Sequence, residues 1–376
     1  MNQQNTVAPT LFTLLAREWN TGAAIRSMLF NASQTAVAYA LDNGSVAIAE
    51  VSDEDPPEQR IHISAENGRS TIRPRSKEPK PLKMVEVTDG DQLLLGAIGA
   101  ADFIACGPAG QAFRISPDGE IGLAAQEIRG PIVALDQCRK SGQFACVSGT
   151  QVSVFDDDTA TPVRRLDHGE PITSIEFSPD GQSIAIAHDY GLTIWSPGAD
   201  GGKTEEVAFP GRPSAAYWSP DGQWIASPLA DGGFQLSCPR DARTRALTDY
   251  PTPVRSVAWN APANALITAG AFRVAVWAMD KPPIDDPSSG VLETGRAGLV
   301  PVSAVSAHPD RNLVVAGYEN GFVTIVQIAG RDELVLNTED HGAVTSLEWS
   351  RNGRHVALGT DKQFAAVVSL PPQMFK

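Results

Sequence analysis

The residues of this chain that could do chemistry are six histidines, four cysteines and scattered carboxylates. His188 and Asp189 are adjacent and could begin a metal site. No H-x-H, H-E-x-x-H or cysteine-bearing cluster completes it. Ser-Pro-Asp-Gly runs at 116–119, 178–181 and 219–222 invite a calcium-loop reading. Calcium asks for about six to eight oxygen ligands gathered in one loop, whereas these carboxylates stand alone. They read better as turns: Pro presets φ, Asp bonds the backbone, and Gly takes the left-handed position. Neither G-x-x-x-x-G-K-[ST] nor G-x-S-x-G is present, so the phosphate loop and the serine-hydrolase elbow are excluded. No catalytic residue type recurs at positions expected to face a central channel, and neither metal nor cofactor is expected.

Stepping outward to the elements, the chain repeats itself. Ile175-Glu176-Phe177-Ser178-Pro179-Asp180-Gly181-Gln182 aligns with Ala216-Tyr217-Trp218-Ser219-Pro220-Asp221-Gly222-Gln223, 41 residues on. Leu29-Phe30-Asn31, Val257-Ala258-Trp259-Asn260 and Leu347-Glu348-Trp349-Ser350 fit the same template. Phe30, Phe177, Trp218, Trp259 and Trp349 thus recur at one strand position, which core packing explains better than a base-stacking platform. Each unit continues with an apolar second strand, a tight turn such as Asn43-Gly44 or Asn320-Gly321, and an alternating third strand. Those turns supply the positive φ of short hairpins.

Four short strands every ~40–45 residues is the sequence signature of a β-propeller blade. The fold class expected is all-β: one propeller over residues 1–376, with first strands beginning near Ile25, Leu93, Ile132, Ile172, Ser214, Val254, Val302 and Val344. That makes eight blades, with seven the alternative because the second and third units are degenerate. The last unit has three strands, and Thr10–Arg17 reads as the orphan fourth that closes the ring and removes exposed edges.

These residues resemble the WD-repeat (WD40) family. The resemblance implies a hydrogen-bond network in each repeat, built on a His near the start, an Asp in the turn between second and third strands, and a Trp ending the third strand. His168, Asp189 and Trp195 stand at those places, although Ala187 replaces the Ser that would join them. His341 and Asp361 match in the last unit, where Val367 holds the Trp position. Trp277 matches in the sixth, where Ala271 replaces the Asp. Elsewhere Ala49, Phe155, Ser237 or Val326 takes the Trp place.

Two connections break the period, both between third and fourth strands. One covers residues 52–81 and changes from acidic (Asp53, Glu54, Asp55, Glu58) to basic (Arg69, Arg73, Arg75, Lys77, Lys80). The other covers about 280–290, and a shorter Gly-rich one runs from Ser196 to Lys203. Strand alternation puts all three on one face, and insertions on one face of a repeat protein often mark its binding side. The plainer reading is solvated, variable loop. For the long insertion the charge change points either to pairing of its own halves or to an acidic partner that meets Arg69, Arg73, Arg75, Lys77 and Lys80.

Composition narrows the function classes. With 30 Lys and Arg against 44 Asp and Glu, the net charge is −14, which opposes nucleic-acid binding. No apolar stretch reaches the ~18 residues of a membrane span. The first residues lack a basic signal-peptide start, and Cys106, Cys138, Cys146 and Cys238 contain no C-x-x-C pair, so a reduced cytoplasm is expected. The expected function is a non-enzymatic scaffold of the WD-repeat type that binds partner proteins on its loop-rich faces. The alternative is a propeller enzyme or small-ligand binder, which a cluster of channel carboxylates with shifted acidities would favour.

Overall fold

The computed structural model describes residues 10–63, 70–88, 90, 93–126, 128–198, 201–207, 211–337 and 340–375. Among the described residues the ring consists of eight antiparallel sheets, each with its strands in sequence order except where the ring closes, and one two-stranded sheet lies outside it. We number the blades 1 to 8 by their first strands: Ile25–Phe30, Leu94–Ile98, Ala134–Cys138, Ile172–Phe177, Tyr217–Trp218, Val257–Asn260, Val302–Ala307 and Val344–Trp349. First strands of neighbouring blades lie against one another. Between blades 5 and 6 the link is Trp259 Nε1 donating to Tyr217 O at 3.2 Å. The first strands therefore form the inner wall of the ring, and the fourth strands its rim.

The local sequence explains the turns. Ser178 and Ser219 donate through Oγ to Asp180 and Asp221 at 2.6 and 2.5 Å, and the following Gly181 and Gly222 take φ of 74° and 69°. Blade 8 repeats the device with Ser350 and Asn352 at 2.8 Å. A side chain at these glycines would force the left-handed conformation on an L-residue. In blades 1, 4, 7 and 8 the first strand also bulges at its second residue. At three of those bulges, Thr173, Ser303 and Thr345 donate a hydroxyl to a carbonyl of the next blade.

The core is circular rather than central. Eight buried apolar clusters occur, one at each junction between neighbouring blades. Phe144 of blade 3 and Phe155, for example, stack at 4.9 Å inside the junction with blade 2. The junction of blades 4 and 5 is the leanest: its buried members are Ala185, Ala187, Leu192, Ala216 and Ile225.

Two expectations about strands need correction. An amino-terminal strand closes the ring as expected, but it does not begin at Thr10. Thr10 Oγ1 accepts from Thr13 N at 3.2 Å and caps a helix, Leu11–Leu15, whose Phe12 and Leu15 are buried three residues apart. The closing strand is Ala16–Asn20, paired from Ala16↔Val368 to Asn20↔Phe364. A cap ahead of a helical spacing of apolar residues outweighed their reading as a strand. Blade 6, second, has three strands among the described residues. Its fourth is reduced to a bridge between Trp277 and Val291, because Ile284 of the 280–290 connection buries itself beside Trp224 and Trp277 instead.

Candidate functional site: the channel wall and the two faces

The inner edge of each first strand has backbone N–H groups without a strand partner, which is costly unless another group accepts from them. The recurring aromatic position shows how four blades answer this. Phe177 N donates to Asp136 Oδ2 at 2.6 Å, and Trp218 N to Glu176 Oε2 at 2.6 Å. Phe30 N donates to Glu348 Oε2 at 2.9 Å, and Trp349 N to Ser306 Oγ at 3.0 Å. Each acceptor belongs to the preceding blade, so the contact staples one blade to the next.

Acidic side chains thus recur beside the aromatic position in three blades, as acceptors of backbone N–H groups. Asp136, Glu176 and Glu348 are half-buried, on the first strands that form the inner wall. Burial pushes Asp136 up to about 7 and Glu348 up to about 8, against the N–H bonds each accepts. Burial, with the neighbouring Asp136 charge added, drives Glu176 well above the usual carboxylate range. The signal was present in Ile175-Glu176-Phe177 and Leu347-Glu348-Trp349, where an acid precedes the repeating aromatic.

The WD-repeat network is rearranged around blade 4. His168 Nε2 meets Thr193 Oγ1 at 2.9 Å, His188 Nε2 meets it at 3.2 Å, and Thr193 donates to Glu206 Oε1 at 3.0 Å. One hydroxyl thus joins both imidazoles, whose rings lie 4.6 Å apart, to a carboxylate of the rim strand. Asp189 is exposed in its turn and is not hydrogen-bonded to His168. Trp195 is fully buried and donates to Gly201 O at 3.0 Å. In blade 8, His341 stacks on Phe364 at 3.9 Å, and Asp361 is exposed beside it. Trp277 is buried edge-on to Phe234 at 5.2 Å. No group of three or more His, Cys, Asp or Glu among the described residues is placed to hold a metal ion.

The insertion after blade 1's third strand is built rather than loose. It carries a helix, Pro57–Arg60, and a hairpin of Ile61–Ile63 with Ser70–Ile72. Its charges meet one another: Arg75 grips Asp53 through two hydrogen bonds of 2.8 Å. Lys77 lies 3.9 Å from Glu54, and Lys80 bonds Glu50 at 2.9 Å. Arg73 is exposed and has no ion pair among the described residues, and Arg69 lies outside them.

The opposite face, made of the turns between second and third strands and of the connections into each next blade, carries apolar groups in water. Tyr190 is 74% exposed and Leu299 95% exposed, with Phe272 at 42% and Val133 at 43%. Gly298 N donates to Phe272 O at 2.8 Å, which holds the Leu299 connection against the Phe272 turn. Sequence reading missed this face because its turns are short and regular, and only insertions drew notice.

No helix among the described residues is long and apolar enough to cross a membrane. The model of the WD domain, G-beta repeat family matches residues 160–196, which span the fourth strand of blade 3 and three strands of blade 4. No curated protein matches the chain. Among solved structures it is similar to the computationally designed Ika8 protein, with a TM-score of 0.68 at 15% identity over 93% of this chain and 98% of that one. At that identity the likeness concerns the fold alone. The chain is an eight-bladed β-propeller that carries a WD40 repeat at residues 160–196.

Proposed function

We propose that the chain is a non-enzymatic scaffold of the WD-repeat type, acting as one ring in the cytoplasm, on which partner proteins dock. The carrying observation is the face of Tyr190, Phe272, Leu299 and Val133. Full burial of such a side chain stabilises by about 1.5–3 kcal/mol, so Leu299 and Tyr190 have most to gain from a partner and the half-buried Phe272 and Val133 less. On this reading the main contact lies on the face opposite the 52–81 insertion. From the basic run Arg69, Arg73, Arg75, Lys77 and Lys80, Arg73 is the group best disposed to add to a contact, since Arg75, Lys77 and Lys80 are engaged internally. The test is affinity capture with three baits: the native chain, a Tyr190→Ser/Phe272→Ser/Leu299→Ser variant, and an Arg73→Gln variant. Loss of specific partners in the first variant supports the reading. Identical partner sets for all three baits would refute it.

The channel carboxylates favour a second reading, a small-ligand binder or acid–base catalyst at the axis. Because Asp136, Glu176 and Glu348 each already accept a backbone N–H, the staple role accounts for them first. A ligand screen on native and Glu176→Gln protein separates the two, since only a ligand site makes binding depend on that substitution.

A further inference from the structure

We infer that the insertion between the third and fourth strands of blade 1 is a clasp that locks the ring shut by holding residues 11–20 against blade 1. The closing strand Ala16–Asn20 has one sheet partner, Phe364–Ser369, and lies at the outer edge of blade 8. A strand of five residues held along one edge frays easily. Here it is also held from the other side, by side chains the sheet pairing does not involve.

The central tie is Arg17, 3% exposed. Its Nη1 donates to Glu50 O and Ser52 O at 2.8 Å each, and Nη2 donates to Val51 O at 2.7 Å. One guanidinium thus collects three successive carbonyls where blade 1's third strand passes into the insertion. A buried cation needs a counter-charge, and Asp53 supplies it, with Oδ2 3.9 Å from Arg17 Nε. Asp53 is in turn fixed by the paired bonds from Arg75. Although burial alone would raise it, those bonds and the Asp55 N–H hold the Asp53 carboxyl down at about 2.

Three further ties converge on the same segment. Arg60, 6% exposed, donates Nη2 to Leu14 O at 2.7 Å, at the end of the first helix, where the helix dipole favours a cation. It also donates Nη1 to Arg73 O at 2.6 Å and Nε to Asp55 O at 3.0 Å, which folds the insertion back on itself. Trp19 Nε1 donates to Lys80 O at 2.7 Å. Ile72, at the end of the hairpin, packs on the cluster that contains Phe12 and Leu15. The insertion therefore touches the amino-terminal segment at its helix, at the start of its strand and near the strand's end. Its internal charge pairing, which leaves little of the basic run for a partner, is what sets these contacts.

Hydrogen–deuterium exchange on the full chain, read peptide by peptide, tests the clasp independently of any partner. The variants are Arg60→Met/Arg75→Gln, which cuts the Arg60–Leu14 tie and frees Asp53, the counter-charge of Arg17, from Arg75, and Arg73→Gln, an exposed neighbour in the same insertion. Expected is an exchange rise of about tenfold or more in peptides covering 16–20 for the double variant, with blades 3 to 5 unchanged and Arg73→Gln like the native chain. Trp19→Phe, which removes a single bond, is expected to give a smaller rise at the same place and serves if the double variant does not fold. Unchanged protection of 16–20 in both, an equal rise in every blade, or the same rise in Arg73→Gln would overturn the inference.

Discussion

Replacing Glu348 by Gln is expected to stabilise the ring in alkali and to leave it nearly unchanged in acid. Glu348 reaches from blade 8 to Phe30 N of blade 1, the junction where the two ends of the chain meet. Burial raises its pKa from 4.5 to about 8, so the folded chain holds this proton more tightly than the unfolded chain does. Stability from this group is therefore complete below about pH 4.5, falls as pH rises towards 8, and is flat above that. A shift of that size corresponds to about 5 kcal/mol at ~1.4 kcal/mol per pH unit. Since Glu348 is half-buried, that is an upper bound. Gln keeps an oxygen for Phe30 N–H and cannot ionise. Asp136 and Glu176 titrate in both proteins and cancel in the comparison. Urea unfolding of both proteins by tryptophan fluorescence at pH 5 and pH 9 reads the effect as a difference of midpoints. The variant should gain on the native chain between the two pH values. A constant difference, or a native chain that gains in alkali, would refute the buried-proton account.

Phe155→Ala removes one of two stacked, fully buried rings at the junction of blades 2 and 3 and is expected to cost about 3–5 kcal/mol in urea unfolding. Because the junction of blades 4 and 5 is built mostly on alanines and the first strand of blade 5 has two residues, amides of 225–227 should exchange faster than those of 36–41 in blade 1. Equal protection would show that cluster size does not set local stability. The cysteines Cys106, Cys138, Cys146 and Cys238 are all buried and unpaired, so a thiol reagent should label them on unfolding and leave them largely untouched in the native chain.

The blades were legible because a propeller writes its period into the chain: the aromatic, the Ser-Pro-Asp-Gly turn and the alternating third strand recur at fixed distances. The starts at Ile25, Ile172, Val302 and Val344 agree to the residue with the strands observed. What was not legible depends on contacts between blades. The closing strand was placed too early because Leu11, Phe12, Leu14 and Leu15 satisfy strand and helix patterns alike, and a cap from Thr10 decided between them. The fourth strand of blade 6 yields to Ile284, whose burial needs Trp224 from the blade before. Asp189 loses its histidine because Thr193, on the facing strand, offers a nearer oxygen to His168 and His188 alike.

The two sets of charged residues in this ring answer one difficulty. A circular core has no centre to hold it, so each junction must carry itself, and behind the junction of blades 8 and 1 the ring is closed only by the pairing of Ala16–Asn20 with Phe364–Ser369. Glu348 staples that junction at the axis, and Arg17 with Asp53 and Arg75 fastens it at the rim. The guanidinium set is a buried charge cluster, which contributes little net stability by itself, and Glu348 is an enclosed carboxyl that keeps its proton towards pH 8. Their value lies in geometry: a guanidinium that meets three carbonyls, or a carboxylate aimed at one N–H, accepts a single register. Slippage of Ala16–Asn20 by two residues would keep the same side chains inward and most of the sheet bonds, but would pull Arg17 about 7 Å from its carbonyls. The polar contacts thus select the register that pairing alone leaves open.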